Sequence, residues 1–244
     1  MSADTRGVGF ALARWRCLAA WYTLWSSTIG KKAMMATTGL LLIGFNLAHA
    51  FGGLKLFLGE AEFNAYAEWL RAMASPPLAH GQALWMARIV LLAAVALHLT
   101  AGVQLTLQSW AARPVGYRRR DILQATLSSR TMRWGGVAIL CFLIFHILHL
   151  TFGLVGYPPA QYGPSVYRNV VRGFSVWYVS ALYLAALLAL GLHIRHGVWS
   201  MFQTLGFVGA RRECLYRGVS LLVAILIVLG YMAVPVAVLL GLVR

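Results

Sequence analysis

The sequence predicts an all-α membrane protein with five transmembrane helices. Apolar residues make up 60% of its 244 residues and charged residues only 11%, whereas a soluble domain is nearer a quarter charged. Mean hydropathy is +0.72. Five apolar stretches are long enough for a bilayer core about 30 Å thick, which needs roughly 20 helical residues. Twenty-one Lys and Arg against six Asp and Glu leave a net charge of +15. These cations sit in short blocks between apolar runs, as in a membrane protein with basic loops, and not along one stripe. The expected surrounding is therefore membrane lipid, with no nucleic acid partner.

The spans follow in order. Span I runs from about Ala33 to Leu58, span II from about Leu84 to Trp110 and span III from about Trp134 to Val155. Span IV runs from about Val176 to Phe207 and span V from about Val219 to Val243. Backbone groups in lipid must be satisfied within the segment, so each is a helix. A β-barrel would show short alternating segments, and none occurs. Residues 1–32 form an N-terminal segment and residues 33–244 one five-helix domain. Val8 to Trp25 carries Trp15, Trp21, Tyr22 and Trp25 with Arg14 and Arg16. This mix suits a helix at headgroup level; a frayed tail fits it equally. Arg14 and Arg16 also interrupt what would be the apolar run of a signal peptide.

Charge sets direction. Arg6, Arg14, Arg16, Lys31 and Lys32 precede span I. Arg113, Arg118, Arg119, Arg120, Arg130 and Arg133 separate II from III, and Arg211, Arg212 and Arg217 separate IV from V. The opposite side has fewer, and it holds Glu60, Glu62 and Glu68. The positive-inside rule then predicts a cytoplasmic N-terminus and an external C-terminus. Several motifs are missing. Cys17, Cys141 and Cys214 form no CxxC, and neither GxGxxG nor GxxxxGK[ST] occurs. Zinc ribbons, cysteine-held iron–sulfur clusters, covalent haem attachment and nucleotide folds are unsupported.

The histidines carry the chemistry. His49 lies in span I, His98 in II, His146 and His149 in III, and His193 and His196 in IV; only His80 is in a loop. A single buried imidazole most often just bonds a neighbouring carbonyl. Four consecutive spans each supplying one is a different matter, because ionisable groups in a membrane are costly and tend to be functional. Imidazoles from facing helices can clamp a flat haem, and an iron with both axial positions filled transfers electrons. At 1.5 Å per residue, His49 lies about 25 Å beyond Lys32 and His146 about 20 Å beyond Arg133, both in the outer half. His98 lies about 15 Å beyond Arg88 on a helix running inward. The expected pairs are His49 with His146 outside, and His98 with His193 inside. His149 and His196 each follow another histidine by three residues and share its helix face. Spacing alone therefore leaves the ligand of each doublet open.

The chain resembles the di-haem cytochrome b subunit of succinate:quinone oxidoreductases, the single-anchor class with five helices. The carrying segments are Ser27-Thr28-Ile29-Gly30-Lys31-Lys32 leading through Thr38-Gly39 to His49, and Arg133-Trp134-Gly135-Gly136 leading to Phe145-His146. The most specific is His193-Ile194-Arg195-His196-Gly197-Val198-Trp199-Ser200, of the form HxxxGxWS. The resemblance implies two b-type haems. His49 and His146 would hold the distal one, and His98 and His193 the proximal one. The glycine and tryptophan landmarks favour His146 and His193 over their neighbours. It implies a flavoprotein subunit and an iron–sulfur subunit as partners, menaquinone or another quinone as substrate, and a bacterial cytoplasmic membrane. It places no dicarboxylate active site on this chain. Haem propionates need cations; Arg195 and Arg88 are candidates, although both can equally snorkel to headgroups. Glu60, Glu62 and Glu68 are read first as water-facing acids on an amphipathic loop helix.

Two rivals remain at the level of sequence. One is a di-haem quinone-reactive cytochrome b serving a hydrogenase, formate dehydrogenase or nitrate reductase. The other is a haem-free transporter with a histidine proton relay, which would show interrupted helices at matching places in two halves. No such halves correspond.

Overall fold

The computed structural model describes residues 22–23, 25–112, 127–158, 161–209 and 211–244. Nearly all of the Val8–Trp25 segment lies outside them, as do Arg113, Arg118, Arg119 and Arg120. Among the described residues there are helices and turns and no strand. Helix α1 (Thr28–Leu54) starts where the Ser27 hydroxyl accepts from the Gly30 amide at 2.9 Å, a standard cap for orphan amides. A 3-10 turn (Lys55–Leu58) leads into α2 (Glu60–Ala72), and α3 (Gln82–Ala111) follows. Helix α4 (Leu127–His146) continues as a π-helical turn (Ile147–Thr151). Then come α5 (Val166–Ser175), α6 (Trp177–Thr204) and α7 (Glu213–Leu239).

Five of these segments are long and apolar enough to cross a membrane: Thr28–Leu58, Gln82–Ala111, Leu127–Thr151, Trp177–Thr204 and Glu213–Leu239. The chain is a multi-pass, all-helical membrane protein. Helices α1, α4 and α7 begin earlier than hydropathy marks them, through Lys31 and Lys32 in α1, Arg130 and Arg133 in α4, and Arg217 in α7. Hydropathy marks the hydrocarbon edge, while a helix continues into the headgroups where long cationic side chains reach water. The third span ends earlier than expected, because Gly153 at φ 64° and Gly156 at φ 78° turn the chain out of the helix. Many large apolar side chains on the outer surface are exposed, among them Ile89, Leu92, Val103 and Leu229; this is the coat that hydrocarbon requires.

Helix α1 packs on α3, α6 and α7, and α6 packs on α4 and α7. So α3 and α4 stand on opposite flanks. The fifth span is not peripheral: its most apolar window has the largest buried share of the five, 33% against 6% for the third. Gly191 of α6 permits this approach, since a Cβ there would fall 2.7 Å from Val228 Cγ2 of α7.

One end of the bundle is capped by α2 and α5. The Ser165 hydroxyl donates to Glu60 Oε1 at 2.9 Å, and Arg168 Nε lies 2.8 Å from the same oxygen. Asn64 Oδ1 accepts from the Tyr167 amide at 3.0 Å, tying α2 to the first turn of α5. The Ser165 hydrogen bond, with the Arg168 guanidinium, holds the Glu60 carboxyl below the usual carboxylate range. Glu68 is lowered likewise by His80 and then Arg71. Beneath the cap, Leu56, Phe174, Val179, Tyr183 and Val234 form an apolar cluster.

Candidate functional site

Two histidine pairs face one another between the helices; His98, His146 and His193 are half-buried and His49 is exposed on the bundle's surface. At the capped end, His49 near the end of α1 meets His146, the last residue of α4. Their ring centroids are 6.0 Å apart and their planes cross at 87°. Phe45 stacks on His49 at 5.3 Å, and Tyr231 of α7 lies 5.8 Å from it. The Tyr231 hydroxyl donates to the Asn46 carbonyl at 3.0 Å, which fixes that ring. His146 Nδ1 lies 3.2 Å from the Tyr183 hydroxyl, so its Nε2 is the nitrogen left for another partner.

The second pair is His98 of α3 and His193 of α6, with centroids 6.3 Å apart and planes at 57°. His98 Nδ1 lies 3.0 Å from Thr38 Oγ1. The Thr38 hydroxyl donates to the Met34 carbonyl at 2.7 Å, so toward His98 it is an acceptor of Nδ1–H, and Nε2 is again left over. His193 Nδ1 is buried and has no hydrogen-bond partner. Gly39 and Gly136 line this pair: a Cβ would fall 3.5 Å from His98 Cε1 at the first and 3.8 Å from His193 Cε1 at the second. Thr38 is level with His98, and His49 is eleven residues further along α1. The two pairs are thus separated by about 16 Å along the bundle axis.

In neither pair do the two parent helices pack backbone on backbone; α4 rests on α6, and α3 on α1. The rings meet across the space between two helices that are not packed on one another, not along a helix seam. A metal held about 2 Å from one nitrogen of each of two opposed imidazoles would put the ring centroids roughly 6 Å apart. Both pairs have that spacing. Among the described residues no three His, Cys, Asp or Glu gather where an ion could be held. The donor set is therefore two opposed imidazoles at each of two heights. That suits the axial positions of a haem iron better than zinc, which takes three or four protein ligands.

The doublets separate clearly. His149 is fully buried, with Nδ1 2.9 Å from the Tyr183 hydroxyl and Nε2 without a partner. It packs on Tyr157 at 4.7 Å and not on His49. His196 lines a cleft of about 150 Å³ with Ser128, Arg195, Trp199 and Arg217. Arg195 is exposed at that cleft. Arg88 is exposed on α3 with its guanidinium 4.9 Å from the Trp85 ring; no hydrogen bond or ion pair of the structure joins it to either pair. Of the sequence-derived candidates, the four histidines are brought together two by two and the two arginines are not brought to them.

Sequence reasoning missed Thr38, Tyr183 and Tyr231 as partners of the histidines. Their only signal is a hydroxyl inside an apolar span. No local spacing points to them, since Tyr183 is 37 residues from His146 and Thr38 is 60 from His98.

No protein-family model, curated protein or solved structure matches the chain.

Proposed function

We propose that this chain is the membrane-anchor cytochrome b subunit of a succinate:quinone oxidoreductase, carrying electrons between an iron–sulfur subunit and menaquinone or another quinone. The observation that carries the reading is the presence of two opposed imidazole pairs, 6.0 and 6.3 Å between centroids, from four different helices. His49 and His146 would hold the distal b haem, and His98 and His193 the proximal one. Bound there, each haem would supply a one-electron centre suited to electron passage.

The chain's own residues do the rest. Tyr183 and Thr38 take the Nδ1 side of His146 and His98 and so direct each Nε2 inward, the usual outer-shell arrangement for a ligating imidazole. The aromatic rings of Phe45, Phe142 and Tyr231 touch His49 and His146 and hold the two imidazoles in place. Arg195 would meet an acidic group at the basic end of the bundle, and Arg88 one at the capped end. The basic blocks favour a cytoplasmic N-terminus and an external C-terminus by the positive-inside rule; in this reading the membrane is a bacterial inner membrane, and a flavoprotein and an iron–sulfur protein would dock on its cytoplasmic side. Succinate chemistry belongs to those partners.

The test is purification of the native complex from membranes, with haem quantitation and a reduced-minus-oxidised spectrum. Two b-type haems per chain, a co-purifying flavoprotein and succinate-driven quinone reduction are expected. A colourless preparation overturns the reading. Hydrogenase, formate dehydrogenase or nitrate reductase subunits in place of the flavoprotein would move the chain to that other class of di-haem cytochrome b.

A further inference from the structure

The Tyr183 hydroxyl sits between two imidazoles, 3.2 Å from His146 Nδ1 and 2.9 Å from His149 Nδ1. It has one hydrogen, so it can donate to only one of them. A neutral imidazole that offers Nε2 to a metal carries its proton on Nδ1. His146 is therefore the donor to the Tyr183 oxygen. That leaves the Tyr183 O–H for His149 Nδ1, which accepts, and puts the His149 proton on Nε2. The direction of every bond in the chain follows from this single count.

We propose that His146, Tyr183 and His149 form a directed hydrogen-bond chain in which Tyr183 is a positioning residue that sets the electron affinity of the metal centre held by His49 and His146. The inference rests on the haem reading above and goes beyond it in assigning work to His149 and Tyr183.

The structure holds the chain rigidly. His149 stands on the π-helical turn, where the Phe152 amide reaches back to the Ile147 carbonyl at 3.2 Å. Such turns re-aim a side chain that regular helix would leave elsewhere, and they are frequent at functional sites. Two glycines are spent on accommodating its ring. A Cβ at Gly173 of α5 would fall 2.5 Å from His149 Nε2, and one at Gly156 would fall 2.7 Å from its Cδ2. The Tyr183 ring is held edge-on by Phe142 at 4.9 Å and Phe174 at 4.8 Å. A rotamer change at either ring therefore meets packed neighbours.

The chemical consequence is polarisation. An oxygen that gives its own hydrogen to His149 is a better acceptor for the His146 Nδ1–H, because linked hydrogen bonds strengthen one another. A more strongly accepted Nδ1–H makes the imidazole a stronger donor to the metal. This favours the oxidised metal and lowers the potential of that centre.

The experiment is redox titration of the full complex carrying Tyr183→Phe, which keeps the ring and removes the hydroxyl. Both haems should be retained. One of them should become easier to reduce by about three- to tenfold in its equilibrium constant, the effect of one hydrogen bond; tenfold is about 59 mV for a one-electron couple. The other haem should not move. His149→Gln should shift the same haem in the same direction by less, and it supplies the reading if Tyr183→Phe does not accumulate. Two haems with unchanged potentials in both variants overturn the relay and leave the proposed function standing. Loss of a haem on His149→Gln, with His146→Gln silent, overturns the relay by making His149 the ligand. A wild-type complex without haem overturns the function and the relay together.

Discussion

The two histidine pairs have nearly the same spacing and very different surroundings. At the capped end, aromatic rings from α1, α4, α6 and α7 touch His49 and His146, and the hydroxyl that touches His146 also touches a second imidazole, His149. At the other pair, His98 meets a threonine whose hydrogen ends on its own helix, at the Met34 carbonyl. Small residues, Gly39 and Gly136, flank that pair in place of rings. One donor motif placed at two heights thus acquires two characters, and the difference lies in what accepts Nδ1–H.

The comparison can be broken most directly at the four paired histidines. Replacing His49 or His146 by alanine should halve the haem content and leave the signal of the other pair, and replacing His98 or His193 should do the converse; pyridine haemochrome quantitation reads both. If either pair's variants remove all haem, the pairs are not separate sites. A second change separates the two ends by stability. Gly173→Ala presses a methyl on His149, an overpacking that costs about 1–3 kcal/mol. The roughly 1 kcal/mol of helix propensity gained from alanine does not outweigh the upper part of that range. Thermal unfolding of the purified complex should shift downward, with the spectrum of the capped-end centre changing and that of the His98–His193 centre retained.

A subtler change sharpens the contrast. Thr38→Val removes the acceptor on His98, and only the His98–His193 centre should move, by about two- to fivefold in its reduction equilibrium. That is the mirror of Tyr183→Phe, and a shift in the wrong centre would show that the hydroxyls do not act locally. The smallest effect is at the cap. The Glu60 carboxyl is lowered from 4.5 by Ser165 and Arg168, so its contribution is full above that value. It is lost as the pH falls through the lowered value of the folded protein. Limited proteolysis of the α2–α5 cap should rise on acidification in the wild type. In Glu60→Gln this dependence should flatten.

Much of this was legible without coordinates. The five spans follow from composition because hydrocarbon penalises each charge and each unpaired backbone group where it stands. The depth count sorted the histidines by height for the same reason, since helix rise is local. Helix α5 was not legible: Val166–Ser175 is ten residues long and contains Arg168, Asn169 and Arg172, so no hydropathy window marks it. Its partners Glu60 and Asn64 are about a hundred residues away in sequence. The His146–His149 doublet was also undecidable, because three residues of regular helix share a face; both rings reach the Tyr183 hydroxyl, and only tertiary contacts set His146 against His49 and His149 against Tyr157.

By itself the sequence determined that the chain is a five-span helical membrane protein with imidazoles on four consecutive spans, because those properties depend on each segment's own transfer into lipid. Only the tertiary structure decided which rings oppose one another, which histidine is turned into the cap, and which hydroxyls face Nδ1. Those depend on contacts between residues tens of positions apart, and no local energy term in the chain encodes them.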